Sequence, residues 1–478
     1  MAQAMAQAIP SGRTAHGRVR VPPSKSITHR YLNLALLARR PLIVERPLLS
    51  EDTRLFLAAL ARCGWTVEER PEEEIGLAPP GGGLLEDSRP SCLPLGEAFR
   101  SSAGAYETST PRPKGGKRDS YPPGRHPPGP YPPVEIFCGN AGTMLRFLIA
   151  SLAALPGRWL LDGVARLRER PVGPLVEALR RLGAEVGYLG VPGRVPLEIA
   201  GATLGGGVTG LDAGESSQFL SALLMAGLAA PRPLTVEVTA LTSAPYVEVT
   251  LAAARRCGGR IETLPAAGGT LRYRVIPGLQ PPARLRVEGD ASAACYPAAA
   301  AALTGGSVQL EGLTADSPQG DRRFLELLAR MGAEVAWSGD EVAVRGGPLR
   351  AIEADLSAMP DQVPTLAALA PFARGTTRIR NVAHLRLKES DRLSAMATEL
   401  RRLGAEVEEG ADRLDVNGTW WQAPPPDDPV AVDAHGDHRI AMSLALVGLR
   451  RPGVLVESPQ VVAKSYPAFW QDFLGLLG

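Results

Sequence analysis

Lysine is scarce in this chain. Of 52 basic residues only five are lysines: Lys25, Lys114, Lys117, Lys388 and Lys464. Arginine serves elsewhere, so a lysine kept in such a background points to a site that wants a compact, mobile ammonium rather than a planar fork. Cysteine is also sparse. Cys63, Cys92, Cys138, Cys257 and Cys295 make an odd number with no CxxC step, which argues against a disulfide framework or a structural zinc site. No run of 18 apolar residues occurs, so no membrane span is expected. The opening MAQAMAQAIPSGRTAHGR lacks the charged start and apolar stretch of a secretory signal. A formal charge of +2 gives no reason to expect nucleic acid as a partner, so any anion binding must be local. The expected setting is a reducing cytoplasm.

What is present is a repeat. The 478 residues, 45% apolar and 21% charged, suit a globular protein of two domains. One helical pattern ending in glycine recurs as LFLAALARCG, LVEALRRLG, VTLAAARRCG, LELLARMG, MATELRRLG and FWQDFLGLLG. The closing glycines, Gly64, Gly183, Gly258, Gly332, Gly404 and Gly478, are 119, 75, 74, 72 and 74 residues apart. The first interval is about 45 residues too long, which sizes an insertion. Its composition, rich in Pro, Gly, Ser and Arg, places it at about 87–133 and predicts a surface loop, with a lid or docking arm as the functional alternative. Each unit also holds a more apolar helix, beginning SKSITHRYLNLALLA, GNAGTMLRFLIASL, ESSQFLSALLMAGL, DASAACYPAAAAAL, MPDQVPTLAALA and GDHRIAMSLALVGL. Short alternating stretches such as LTVEVTAL read as strands. The pattern is α/β, six units in all, and the glycines match left-handed helix caps.

The polar residues cluster before these helices. A helix N-terminus carries unpaired N–H groups and partial positive charge, so it attracts anions. Capping is the plain explanation for Ser, Asp and Asn there, and for Asp52, Asp316 and Asp290 it weighs at least as much as a functional role. Cations are different, because a cation at an N-terminus opposes the helix dipole by about 0.3–1 kcal/mol. Lys25, Arg170, Lys388, Arg392, Arg439 and Lys464 all break that rule, and an anionic ligand held between them would account for it. Other motifs carry less. Gly205 to Gly210 fits GxGxxG by letter but opens no helix after a strand. His435 and His438 near Asp433 and Asp437 lack further ligands at metal spacing, so no metal is expected.

Read together, SKSITHR, GNAGTMLR, RERPVGPLVEALRRLGA, SSQFLSALLMAG, EGDASAACY, KESDRLSAMATELRRLGAEV and DHRIAMSLAL resemble the 5-enolpyruvylshikimate-3-phosphate (EPSP) synthase family, in order along nearly the whole chain. The resemblance implies a two-domain inside-out α/β barrel, with three strand–helix repeats per domain. Residues 23–288 would form one domain and residues 1–22 with 289–478 the other, the chain crossing near Val21–Pro23 and Val287–Gly289. It implies transfer of the enolpyruvyl group of phosphoenolpyruvate to shikimate 3-phosphate by a monomer that needs no cofactor. The shikimate 3-phosphate site would use Lys25, Ser26, Arg30, Ser216, Ser217, Gln218, Ser243, Tyr246, Asp361 and Lys388. The phosphoenolpyruvate site would use Lys25, Gly142, Arg170, Gln218, Arg392, Arg439 and Lys464. On the residues alone Asp361 could equally cap the helix beginning MPDQVPTLAALA; the resemblance makes it the base, with Glu389 and Lys25 as proton donors.

Two positions depart from the family pattern. His384 stands where many relatives have Asn, and Phe147 follows Arg146 where many have Pro. The sister transferase acting on UDP-N-acetylglucosamine is the nearest rival, and Cys92 could imitate its loop cysteine, but the SSQ, KESDR and RERP motifs favour shikimate 3-phosphate. A ring or clamp around a polymer would need a basic stripe that the near-neutral charge does not supply.

Overall fold

The computed structural model describes residues 6–71, 73–82, 93–94, 132–265, 271–420 and 428–478. Most of the expected insertion, with Cys92, Lys114 and Lys117, lies outside them. Leu93–Pro94 within it pairs with Glu68 and Glu69 at a sheet edge.

The described residues form a mixed α/β fold with six sheets. Each sheet holds one parallel pair of strands, and the other pairings are antiparallel. Parallel neighbours need a crossover, and in four sheets it is the apolar helix. Val134–Phe137, the helix Gly142–Ala153 and Gly157–Asp162 form one such unit. Gly207–Ala213, the helix Ser217–Gly227 and Leu234–Leu241 form another. Glu353–Asp355 with Gly375–Arg380, and Val430–Val432 with Val454–Val456, repeat the pattern around the helices Val363–Leu369 and His438–Gly448.

The other two units exchange strands. His16–Arg20 precedes the helix Lys25–Ala38 but pairs with Ser307–Glu311, the strand after the helix Ala291–Thr304. Arg284–Arg286 precedes that second helix but pairs with Leu42–Glu45, the strand after the first. The two passages are tied where they meet, by Ser24 N–H to the Glu288 carbonyl at 2.9 Å and Asp290 N–H to the Pro22 carbonyl at 2.7 Å.

The apolar helices are buried along most of their length because they are apolar on all sides; every residue of His438–Gly448 is buried. They pack in two groups, 25–38, 142–153 and 217–227 in one, and 291–304, 363–369 and 438–448 in the other. Two hydrophobic cores follow, one drawn from Ile27 to Val287, the other from Ile9 to Val21 and Ala291 to Leu477. The six glycines that close the second helix of each unit all have positive φ, between 73° and 116°, as the left-handed cap requires. Gly205 to Gly210 runs into a strand, so it opens no helix. Among the described residues no helix is long and apolar enough to cross a membrane.

Candidate active site

The apolar helices of both groups aim their N-termini at one cleft. Its walls include Lys25, Ser26, Arg30, Arg170, Ser216, Ser217, Gln218, Tyr246, Asp361, Lys388, Glu389, Arg392 and Arg439. Residues from nearly the full length of the chain thus meet around one cleft that opens to solvent. Three other expected residues stand just behind the wall. Gly142 backs Arg170, Lys464 donates to the Asn140 carbonyl at 3.0 Å, and Ser243 donates to the Ser357 carbonyl at 3.2 Å.

The expected cations fall into two classes. Lys25 and Arg392 are the first residues of their helices, and Arg439 is the second of its helix. These three do oppose the dipole. Arg170, Lys388 and Lys464 do not: each ends or follows a short helical turn, Ala165–Glu169, Ala383–Leu387 and Pro459–Lys464. The dipole argument therefore fails for them, because a cation at a C-terminal end is favoured. The capping expectations also divide. Asp290 caps the helix Ala291–Thr304 through Ser292 N–H and Ala293 N–H, and its second oxygen takes Lys25 N–H at 3.1 Å. Asp52 caps nothing; Ser50 is the cap, and Asp52 lies 3.1 Å from Lys25 Nζ. Asp316 is likewise not at a helix cap, since Gln319 holds that place before the following turn.

Asp361 does not cap its helix either. One carboxylate oxygen lies 2.8 Å from Arg392 and the other 2.7 Å from Arg439. Burial would raise its pKa, but Arg439, Arg392 and Lys388 together hold it well below the usual carboxylate range. Glu389 meets Arg392 at 2.9 Å, with Arg170 at 3.8 Å and Lys464 at 4.0 Å. Its burial is likewise outweighed, by Arg392, Arg170 and Lys464, so it stays ionised. Burial pushes the Lys388 ammonium down to about 8, with Asp361 pulling the other way. Arg170 is 4% exposed, and its Nε has no partner among the described residues. Buried charge without full pairing is costly, and the rest of the Arg170 fork reaches the Asn140 carbonyl at 3.4 Å and Glu389 at 3.8 Å.

The other wall residues are held as firmly. Gln218 accepts from Arg146 at 2.7 Å and donates to Thr143 at 2.9 Å, which fixes which end of its amide faces which neighbour. Arg30 spends its fork on Thr250, the Ser26 carbonyl and the Tyr246 carbonyl, and lies 5.4 Å above the Phe147 ring. It ties three elements together at the edge of the cleft. Phe147, at the departing position, is fully buried under that guanidinium. His384, the other departure, lies behind the wall with Nε2 3.4 Å from Ser243 Oγ. Burial, with help from Lys388, lowers its pKa to about 4, so it is neutral near pH 7.

Sequence reasoning missed one corner. Tyr246 donates to Asp321 at 3.2 Å, Ser292 also donates to Asp321, and Ser24 donates to Gln319 at 3.0 Å. Burial, then the charge of Asp361, raises the Asp321 carboxyl. A signal existed: Ser317 to Asp321 is a polar run directly before a glycine-closed helix, the position that marked the other site residues. Among the described residues no three His, Cys, Asp or Glu side chains are grouped to hold a metal ion.

A family model described as EPSP synthase (3-phosphoshikimate 1-carboxyvinyltransferase) matches residues 10–98 and 123–473. Its unmatched gap falls inside the predicted insertion. A 3-phosphoshikimate 1-carboxyvinyltransferase of Syntrophobacter fumaroxidans is 41% identical over 95% of each chain. One from Ralstonia pickettii is 39% identical over 97% of this chain and 98% of its own. The structure of EPSP synthase from Acinetobacter baumannii superposes with a TM-score of 0.71 over 98% of both chains, at 25% identity. An enolpyruvyl transferase from Streptomyces tendae shares the fold with a TM-score of 0.70 at 19% identity, over 98% of this chain and 97% of that one.

Proposed function

Because the chain belongs to the EPSP synthase family, we propose that it transfers the carboxyvinyl group of phosphoenolpyruvate to the 5-hydroxyl of shikimate 3-phosphate, releasing phosphate. The observation that carries this is the convergence of Lys25, Arg170, Lys388, Arg392 and Arg439 on one cleft. Two small, strongly acidic substrates would compete for these cations with the acids that hold them now, among them Asp52, Asp361 and Glu389.

In this reading Lys25, Ser26, Arg30, Ser216, Ser217, Gln218, Ser243, Tyr246, Asp361 and Lys388 serve shikimate 3-phosphate. Lys25, Gly142, Arg170, Gln218, Arg392, Arg439 and Lys464 serve phosphoenolpyruvate, whose carboxylate and phosphate suit arginine forks. Asp361 takes the proton of the hydroxyl as its oxygen bonds to the enol carbon, and the methylene carbon gains a proton from Lys25, or from Glu389 once substrate anions have drawn its arginines away and the carboxylate has taken up a proton. The tetrahedral intermediate then loses phosphate by C–O cleavage, and the methyl group returns a proton to restore the double bond. A carboxylate clasped by two arginines is a weak base. A substrate anion that takes over Arg392 and Arg439 would release Asp361 and raise its basicity at the moment of use. Positioning and electrostatics carry the rate.

We also infer that the two hydrophobic cores are two domains, 23–288 and 1–22 with 289–478, arranged as an inside-out barrel of three units each. The paired passages at Pro22–Ser24 and Glu288–Asp290 would be the hinge. The enzyme would act as a cytoplasmic monomer without cofactor, a setting that suits its buried free thiols Cys138, Cys257 and Cys295.

The test is phosphate release with shikimate 3-phosphate and phosphoenolpyruvate supplied singly and together. Release only with both is expected. Turnover with UDP-N-acetylglucosamine in place of shikimate 3-phosphate would overturn the choice of acceptor.

A further inference from the structure

The short helix Ala165–Glu169 carries an arginine whose bonds leave its own half of the molecule. Arg166 Nε lies 3.2 Å from the carbonyl oxygens of both Lys388 and Glu389. Its Nη2 lies 2.9 Å from the Lys388 carbonyl and 3.2 Å from that of Arg386. The remaining Nη1 donates to Glu169 at 2.7 Å. Leu167, next to it, packs in the first core, whereas Leu385 and Leu393, which flank the bonded carbonyls, pack in the second.

The bonded segment matters because of what it carries. Lys388 and Glu389 enter the cleft from a stretch between a 3-10 turn that ends at Leu387 and a helix that begins at Arg392. Its own half anchors it through the Arg386 side chain, which reaches Asp391, Glu409 and the Gly410 carbonyl. Arg166 holds its main chain from the other half. A planar guanidinium can serve three carbonyls at once, which one ammonium on a flexible stem does poorly.

We propose that Arg166 is a positioning residue: by bonding the carbonyls of Arg386, Lys388 and Glu389 across the two cores, it sets Lys388 and Glu389 in the cleft while the halves are together. It does not line the cleft, so it acts through those residues. The catalytic consequence rests on the reaction proposed above; the hold on the segment does not. A displacement of about 1 Å at a reacting group costs on the order of 100-fold in rate, so loss of the fork acts mainly on kcat.

The experiment compares wild type, Arg166→Gln and Arg168→Gln. Arg168 shares the short helix but pairs with Asp162 and does not touch the segment. Amide hydrogen exchange of residues 383–391 and steady-state kinetics are measured on each. Arg166→Gln is expected to speed exchange in that segment and lower kcat about 10- to 100-fold, with exchange elsewhere as in wild type and Arg168→Gln unchanged. Unchanged exchange in the segment, or kcat within twofold of wild type, would overturn the proposal. A wild-type protein inactive on the two substrates would count against the reaction instead, and the exchange result would still decide whether Arg166 holds the segment.

Discussion

Arg439 and Asp361 stand 2.7 Å apart although 78 residues separate them in the chain. Arg392 occupies the other oxygen of the same carboxylate and also contacts Glu389 and Asp437. A fully buried guanidinium is thus shared among three acids: burial disfavours its charge, and Asp437, Glu389 and Asp361 outweigh that penalty. Charges this closely linked respond as a group when one member is removed.

Replacing Asp361 by Ala is expected to lower kcat about 10²- to 10⁴-fold, the usual worth of a general base. Circular dichroism should show a folded protein. Asp361→Asn separates the roles, since the amide keeps the size and can still accept hydrogen bonds but takes up no proton. Near-normal turnover in either variant would exclude Asp361 as the base.

The pH profile should report Lys388. Its ammonium is pushed from the ordinary 10.5 down to about 8 by burial, so in the free enzyme it is charged below that value and neutral above it. If the charged form binds the acidic substrate, kcat/KM falls as pH rises through about 8. A bound anion favours the ammonium, so the limb in kcat lies at higher pH. Lys388→Arg should remove the limb from kcat/KM. A wild-type profile flat from pH 7 to 9 would contradict this placement.

Gly142 and Arg170 make a third test. A Cβ at position 142 would stand 2.5 Å from the Arg170 guanidinium carbon, closer than van der Waals contact allows. The arginine end can move, so Gly142→Ala should leave the thermal midpoint nearly unchanged. Its anion contact would shift, and KM for phosphoenolpyruvate should rise about tenfold, a loss of ~1.4 kcal/mol. KM for shikimate 3-phosphate should move much less. Equal rises in both would point to a general collapse of the cleft.

Much of this was legible beforehand, for physical reasons that differ by feature. The glycines at 183, 258, 332, 404 and 478 recur at near-equal spacing because each closes one helix of a repeated unit, and all keep the left-handed backbone. The exchange of His16–Arg20 and Arg284–Arg286 between sheets leaves no mark in the local pattern, since strand pairing depends on partners hundreds of residues away; only the family resemblance, with its crossings near Val21–Pro23 and Val287–Gly289, pointed to it. Lysine scarcity singled out Lys25, Lys388 and Lys464, though the dipole argument held for Lys25 and failed for the other two. Asp321 was passed over because a polar run before a helix reads as ordinary capping. Arg166 had no signal at all, because its distant partners are main-chain carbonyls, and a carbonyl leaves no mark in a sequence.

Asp437 tests the stability side of the same charge cluster. It is fully buried, accepts Arg439 N–H at 2.9 Å as the cap of the helix His438–Gly448, and meets Arg392 Nε at 2.7 Å. Ser390 Oγ also donates to it at 3.2 Å. Asp437→Ala removes the cap and leaves Arg392 to Asp361 and Glu389 alone. Breaking one partner of a buried pair costs about 3–5 kcal/mol, far more than the loss of a cap, which is about 1 kcal/mol. The urea midpoint should fall accordingly, with Asp437→Asn intermediate because its amide can still cap the helix. A midpoint for Asp437→Asn close to wild type, with only Asp437→Ala low, would mean that the carboxylate acts at this position as a hydrogen-bond acceptor, and that its charge contributes little to holding Arg392.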